Sequence, residues 1–144
     1  MAKGYLQRKA SWEILLKVSS GTFSDHALEK VLTNYHFNSL DIAFITELSF
    51  GCIRYRKLLD LWVDHISRIP HHKQPPKLRW LIHVGLYQLL KMNKIPDYFK
   101  RQMNIVSDEI YGEFGSTDVR ENIENYINAY EKYNIDFNGT NLNL

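Results

Sequence analysis

The chain has 144 residues, of which 44% are hydrophobic, 13% aromatic and 24% charged, the balance of a globular domain with one core. A largely disordered chain is excluded, two domains would be cramped, and no apolar run approaches the roughly 18 residues of a membrane-spanning helix. The net charge of +2 hides an uneven distribution: residues 54–101 carry eleven Lys/Arg against three Asp, whereas residues 102–144 carry two Lys/Arg against eight acids. A polyanion would be drawn to the middle of the chain. The start Met1-Ala2-Lys3-Gly4-Tyr5 lacks the apolar stretch of a secretion signal. The single cysteine, Cys52, cannot form an internal disulfide or a multi-cysteine zinc site. A cytoplasmic location is expected.

Helical spacing dominates from the start. Leu6, Ala10, Ile14 and Val18 form one apolar stripe on a first helix over roughly Tyr5–Val18, with Gly21 as its stop signal. Ser24 or Asp25 is the expected cap of a second helix with the inner face Ala27, Leu28, Val31 and Leu32. Asp41 is the expected cap of a third, carrying Ile42, Ile45, Leu48, Ser49 and Cys52 with Phe44 on its flank. The pattern continues through Leu58, Leu59, Trp62 and Ile66, so two tandem helices or one bent helix are expected. Gly51 inside it, costing about 1 kcal/mol relative to Ala, points to a close helix contact or a kink.

Pro75 and Pro76 suit the first turn of the next helix, where a missing N–H does no harm. Leu78, Leu81, Ile82, Gly85, Leu86, Leu89 and Leu90 then keep strict helical spacing and predict a buried face, with Lys77, Arg79, Lys91 and Lys94 off that face or beyond its end. After Pro96, Met103, Val106, Ile110 and Phe114 make a weaker stripe. Asp118 and Glu121 resemble a capping box opening a last helix with Val119, Ile123, Tyr126, Ile127 and Tyr130. Residues 134–144 have no period and read as a flexible tail. No strand alternation, repeat or low-complexity block is present, so the predicted fold is all-α: a helical domain over 1–133 followed by the tail.

Motifs for enzymatic chemistry are largely missing: no GxGxxG or GxxxxGK[ST] phosphate loop, no HExxH and no GxSxG. Arg56, Asp60, Asp64 and Arg68 follow one another at i+4 steps, which predicts a solvated ladder of surface pairs rather than a paired-carboxylate site. His71-His72 lies in a Pro-flanked loop and lacks a third metal ligand, and no metal or other cofactor is expected. His83 reads as a histidine on the flank of its helix. Cys52 reads as a small buried hydrophobe rather than a nucleophile, since a reactive thiol needs an electropositive, partly exposed setting. Trp12, Trp62 and Trp80 read as core residues rather than base-stacking platforms, and Asn138-Gly139-Thr140 as a coincidental glycosylation sequon.

Three stretches in order then identify a family resemblance. They are Gly21-Thr22-Phe23-Ser24-Asp25-His26-Ala27-Leu28; Asp41 to Arg54, containing Glu47-Leu48-Ser49-Phe50-Gly51-Cys52-Ile53-Arg54 and followed by Leu59-Asp60; and Leu81-Ile82-His83-Val84-Gly85-Leu86-Tyr87-Gln88-Leu89-Leu90 ending at Ile95-Pro96. Together they resemble the NusB-like N-terminal domain of the Sun/Fmu (RsmB) ribosomal RNA cytosine-5 methyltransferases, most clearly over residues 10–96. The resemblance implies a NusB-like bundle of six or seven helices in two packed sub-bundles that binds RNA. In the methyltransferases this domain helps to position ribosomal RNA. A NusB-type transcription antitermination factor, or a helical module binding a ribosomal or transcription protein, is the alternative.

The resemblance also implies that Gly51 and Gly85 are sites of close helix approach and that Tyr87 and Gln88 serve packing. Arg54 matches the family's motif arginine. The expected RNA contacts are Lys3, Arg8, Lys9, Arg54, Arg56, Lys57, Lys73, Lys77, Arg79, Lys91 and Lys94. Residues 97–133 match neither motif with which the family continues, so the last helices are expected to diverge. The S-adenosylmethionine-binding domain and catalytic cysteines of the methyltransferases find no counterpart in this sequence, and Cys52 does not correspond to those cysteines. The chain is therefore expected not to methylate by itself; a separate methyltransferase domain is a possible partner, and no membrane is involved.

Overall fold

The computed structural model of the protein describes residues 4–66 and 69–92, and among them the regular structure is five α-helices and one 3₁₀ turn, with no strand. The all-α expectation holds. The expected helices after Pro96, the 134–144 tail, Lys3, Arg68 and Lys94 lie outside the described residues.

Helix α1 (Tyr5–Ser19) ends as expected at Gly21, whose φ of 110° is open to glycine alone at little cost. Gly21 N–H donates to Val18 O at 3.1 Å and Thr22 N–H to Lys17 O at 3.0 Å, the paired bonds that satisfy the last carbonyls of a helix closed by a left-handed residue. Helix α2 (Ser24–Leu32) starts one step earlier than expected. Phe23, not Ser24 or Asp25, is its flanking residue, and no side chain caps it. Ser24 is already helical, and Asp25 stands in the first turn, where a carboxylate meets the positive end of the helix dipole.

Helix α3 (Ser39–Arg54) corrects the expected cap in the same direction. Asn38 is the cap: its side chain accepts from Asp41 N–H at 2.8 Å, and the Asp41 carboxylate accepts from Asn38 N–H at 3.4 Å. Asp41 is thus the reciprocal partner inside the helix. The tandem reading holds, but the break falls at Tyr55 (φ −103°, ψ 22°), after which α4 runs from Arg56 to Ile66. A 3₁₀ turn, His71–Lys73, leads to α5 (Pro76–Lys91), with Pro75 and Pro76 at its start as expected.

Among the described residues helix α5 packs against α1, α3 and α4. Beyond the predicted face, Trp80, His83, Val84, Tyr87 and Gln88 are buried as well. They join Trp12, Leu15, Leu48, Cys52, Leu59, Trp62 and Val63 in the larger apolar cluster or lie beside it. A smaller cluster unites Ala10 and Ile14 of α1 with Ala27, Val31 and Ile45. Helix α1 therefore buries two sides, which is why Tyr5, Ser11 and Trp12 are covered while Leu6, expected in the stripe, is 39% exposed. All three tryptophans are core residues, each burial contributing a few kcal/mol, about 1.5–3 for a large apolar side chain. Trp12 Nε1–H donates to Lys77 O at 3.0 Å and so ties the start of α5 to α1.

Gly51 does not kink α3; it lets α3 cross α5. A Cβ at position 51 would overlap the end of the Tyr87 ring, which is itself buried and cannot swing out to solvent. Gly51→Ala gains about 1 kcal/mol in helix propensity but should lose more by overpacking, for a net destabilisation of about 1–3 kcal/mol. Urea unfolding of Gly51→Ala, Tyr87→Leu and the double variant checks this. The double variant should cost less than the sum of the singles, and simple additivity would contradict a steric origin.

Candidate nucleic-acid interface

The densest run of cations in the described chain brackets the α3–α4 break. Arg54 ends α3, Tyr55 interrupts the helix, and Arg56 and Lys57 open α4. These residues line one open surface groove together with Ile53 and Leu58. Arg54, Arg56 and Lys57 are exposed, and none is ion-paired with a carboxylate among the described residues. The end of α5 comes close to one of these residues: Lys91 Nζ lies 5.5 Å from the centroid of the Tyr55 ring, in cation–π geometry. Tyr55 in turn packs against Tyr87 with ring centroids 6.5 Å apart. Burial first, and then the Glu47 carboxylate, push the Tyr87 phenol up to about 12, so it stays protonated at neutral pH.

The remaining expected contacts disperse. Lys73 in the 3₁₀ turn and Lys77 in the first turn of α5 are exposed, but Lys77 and Lys91 stand about 21 Å apart along the helix axis. Lys9 is half-buried on α1. Arg8 is only 4% exposed: its Nε donates to Gln88 Oε1 at 2.8 Å, its Nη1 to Gly4 O at 3.1 Å, and its guanidinium faces the Phe44 ring at 5.2 Å. Arg8 links α1 to α5 and is withdrawn from the surface set, because α1 buries the side on which it lies.

Arg79 is also engaged. Its Nε donates to Asp60 Oδ1 at 3.0 Å, its Nη2 to Asp60 Oδ2, and the guanidinium stacks 4.4 Å over Trp80. At Asp60 the expected surface ladder gives way to a buried cluster, while Arg56 and Asp64 remain exposed. Asp60 is 7% exposed and faces α5, where it accepts from both Arg79 and His83 Nε2, the latter at 2.9 Å from Oδ1. Asp64 bonds both the backbone N–H of His71 (2.7 Å) and its Nδ1 (2.9 Å), which clasps the 3₁₀ turn to α4. The i+4 spacing along α4 was legible, but the partners come from other elements, since the stripe Leu59, Trp62 and Val63 turns Asp60 inward beside it. The signal that could have found the cluster is the i, i+4 pair Arg79 and His83 on a helix otherwise so apolar.

His83 is not on a flank but fully buried. Burial outweighs the neighbouring carboxylate and lowers its pKa, so the ring is neutral, with Nε2–H given to Asp60 and the buried Nδ1 lacking a protein partner among the described residues. Burial alone would raise the Asp60 pKa. The hydrogen bonds from His83 and Arg79, with the Arg79 charge, win and hold the carboxyl well below its usual range. At Asp64, whose burial is slight, the His71 bonds win in the same way and lower the pKa. Cys52 is buried with its thiol 3.6 Å from His83 O, and burial pushes its pKa well up, the opposite of a nucleophile's setting. Among the described residues no group of three or more His, Cys, Asp or Glu is placed to hold a metal ion, and no helix is long and apolar enough to cross a membrane.

The NusB family model matches residues 6–99, well over half of the sequence. The chain belongs to the NusB family. It is 33% identical over 75 residues to the "Probable ribosomal RNA small subunit methyltransferase B" of Synechocystis sp., covering 52% of this chain and 17% of that protein. A protein described as a methyltransferase in Mycobacterium tuberculosis is 33% identical over 85 residues, covering 58% of this chain and 19% of its own length. The chain thus spans less than a fifth of the length of these relatives. No solved structure matches it. The NusB match encloses the Tyr55 groove and the Asp60 cluster alike.

Two outcomes are expected from the buried cluster. Removing the Asp60 carboxylate leaves Arg79 and His83 without their acceptor, so Asp60→Ala should destabilise by about 3 kcal/mol in urea unfolding. For pH, the folded-state pKa is lowered at His83, Asp60 and Asp64, so the unfolded chain binds more protons and stability falls on acidification. The loss should begin below about pH 6.5 through His83 and steepen below about pH 4 through the two carboxyls. Urea midpoints across this range check it, and His83→Gln should flatten the segment near pH 6.

Proposed function

We propose that this NusB-family domain binds RNA, using the groove at the α3–α4 joint to hold the ribose-phosphate backbone. The observation that carries this reading is the convergence of Arg54, Arg56 and Lys57 on one groove, without carboxylate partners among the described residues and with Lys91 brought in from α5. Cations so placed release counterions from a polyanion, giving affinity that is strong at low salt and weakly dependent on sequence. Arginine adds planar donors suited to phosphate oxygens. Lys73 and Lys77 would act as a secondary site further along the strand, and Lys9 as a peripheral contact.

The likeness to a ribosomal RNA small subunit methyltransferase supports ribosomal RNA as the ligand class. In this reading the domain is an accessory that positions ribosomal RNA for cytosine-5 methylation carried out by a separate catalytic domain, and it works in the cytoplasm. The buried, high-pKa Cys52 gives no support to catalysis by this domain itself.

Binding of a short ribosomal RNA hairpin across a salt series tests the reading. Replacing Arg54, Arg56 and Lys57 together by Ala should weaken binding at least tenfold at low salt and flatten the slope of log K against log salt by about 2, near 0.7–0.9 per lost contact. Affinity insensitive to salt, or unaltered in the triple variant, would overturn it.

A further inference from the structure

Among the described residues Phe23 is the one Phe, Tyr or Trp that is exposed, at 81%. Its backbone is fixed on both sides. Before it, Gly21 turns the chain out of α1 in left-handed geometry and Thr22 N–H bonds Lys17 O; after it, Phe23 O accepts from Ala27 N–H at 2.9 Å as α2 begins. No described ring or cation lies against the Phe23 ring, so it is open to a flat partner.

The corner on which this ring stands adjoins the α3–α4 joint. Val18 and Ser19, at the end of α1, line a small apolar pocket together with Cys52 and Ile53 of α3 and Arg56 of α4. Ile53 and Arg56 also line the cationic groove. Phe23 follows Ser19 by four residues, a reach of at most about 15 Å at about 3.8 Å per step. The exposed ring and the exposed cations Arg54, Arg56 and Lys57 thus share one end of the helical body.

Phosphate contacts hold paired and unpaired strands alike, whereas a base can lie against a protein ring only when it has left its own helix. Stacking would also cover apolar ring surface that water covers now. We propose that Phe23 is a platform for one unpaired base of an RNA strand whose phosphates, a few nucleotides away, are held by Arg54, Arg56 and Lys57. This rests on the RNA reading above and adds to it the kind of nucleotide taken and the side chain that takes the base. The three cations nearby favour a polyanion over an apolar protein surface as the occupant.

The test uses the full chain and three fluorescently labelled ligands of equal length: an oligouridine, an abasic ribose-phosphate strand with the same charge, and an RNA duplex. Phe23→Ala should weaken oligouridine binding by about tenfold, in the range of one lost base stack, while leaving the abasic strand and the duplex unchanged. Phe23→Tyr, which keeps the ring, should bind all three ligands as the parent does. Equal losses on oligouridine and abasic strand, or no loss on either as expected of a ring that serves a protein partner, would overturn the platform while leaving the RNA reading intact. That reading fails separately if the parent chain binds none of the three. Photocrosslinking of the unaltered protein with 5-iodouridine RNA gives an answer even if Phe23→Ala does not fold: the crosslink should map to Phe23, and mapping to other residues alone would overturn the proposal.

Discussion

Helices α3 and α5 cross at Gly51, and the absence of a side chain there sets the register of everything around the crossing. Tyr87 fills the space that a Cβ would need. With the axes this close, the Cys52 thiol reaches His83 O at 3.6 Å, and Tyr55, one turn further on, meets the Tyr87 ring. Lys91, one turn beyond Tyr87, then comes over Tyr55. The cations of the α3–α4 joint and the end of α5 are neighbours because of that one close approach. Packing of this kind is stiff, since interiors have few voids and a shift of one methyl group is felt.

A helix buried nearly all round has little room for polar side chains, yet α5 carries Arg79, His83 and Gln88 inward. Each is answered by a partner from another helix: Asp60 for the first two and Arg8 for Gln88. Pairs of this sort add little net stability over an apolar core of the same shape, because desolvation offsets most of the Coulomb attraction. Their effect is on geometry. Asp60 meets Arg79 and His83 together only at one rotation of α4 against α5, and Arg8 meets Gln88 only at one rotation of α1. The cluster thereby holds α4 in the orientation that turns Arg56 and Lys57 outward to the groove.

Membership of the NusB family and the likeness to methyltransferase relatives concern the same stretch of chain that folds into these helices. The relatives extend far beyond it. What this stretch offers by itself is a rigid helical body with a cationic break between two helices. Its cations at that break are exposed, whereas the Cys52 thiol and the His83 imidazole are buried in the core.

The sequence by itself determined the five described helices, their approximate ends and most of the core among them. Apolar spacing, the stop at Gly21 and the start at Pro75-Pro76 are local properties, read within a turn or two of chain. It also pointed to Gly51 as a close contact or a kink, of which the structure shows the contact, and to Trp12, Trp62 and Trp80 as core. The caps were misplaced by a residue or a few, since Phe23 and Asn38, rather than the polar residues after them, stand at the helix starts. Only the tertiary structure decided which charges are surface and which are interior. Asp60 and Arg8 resemble solvated residues along their own helices. They are buried because a second helix covers them, and the partner that makes such burial tolerable comes from 19 positions away for Asp60 and 80 for Arg8. The same holds for Tyr55 and Lys91, which no local pattern brings together, because their meeting depends on where two helices cross.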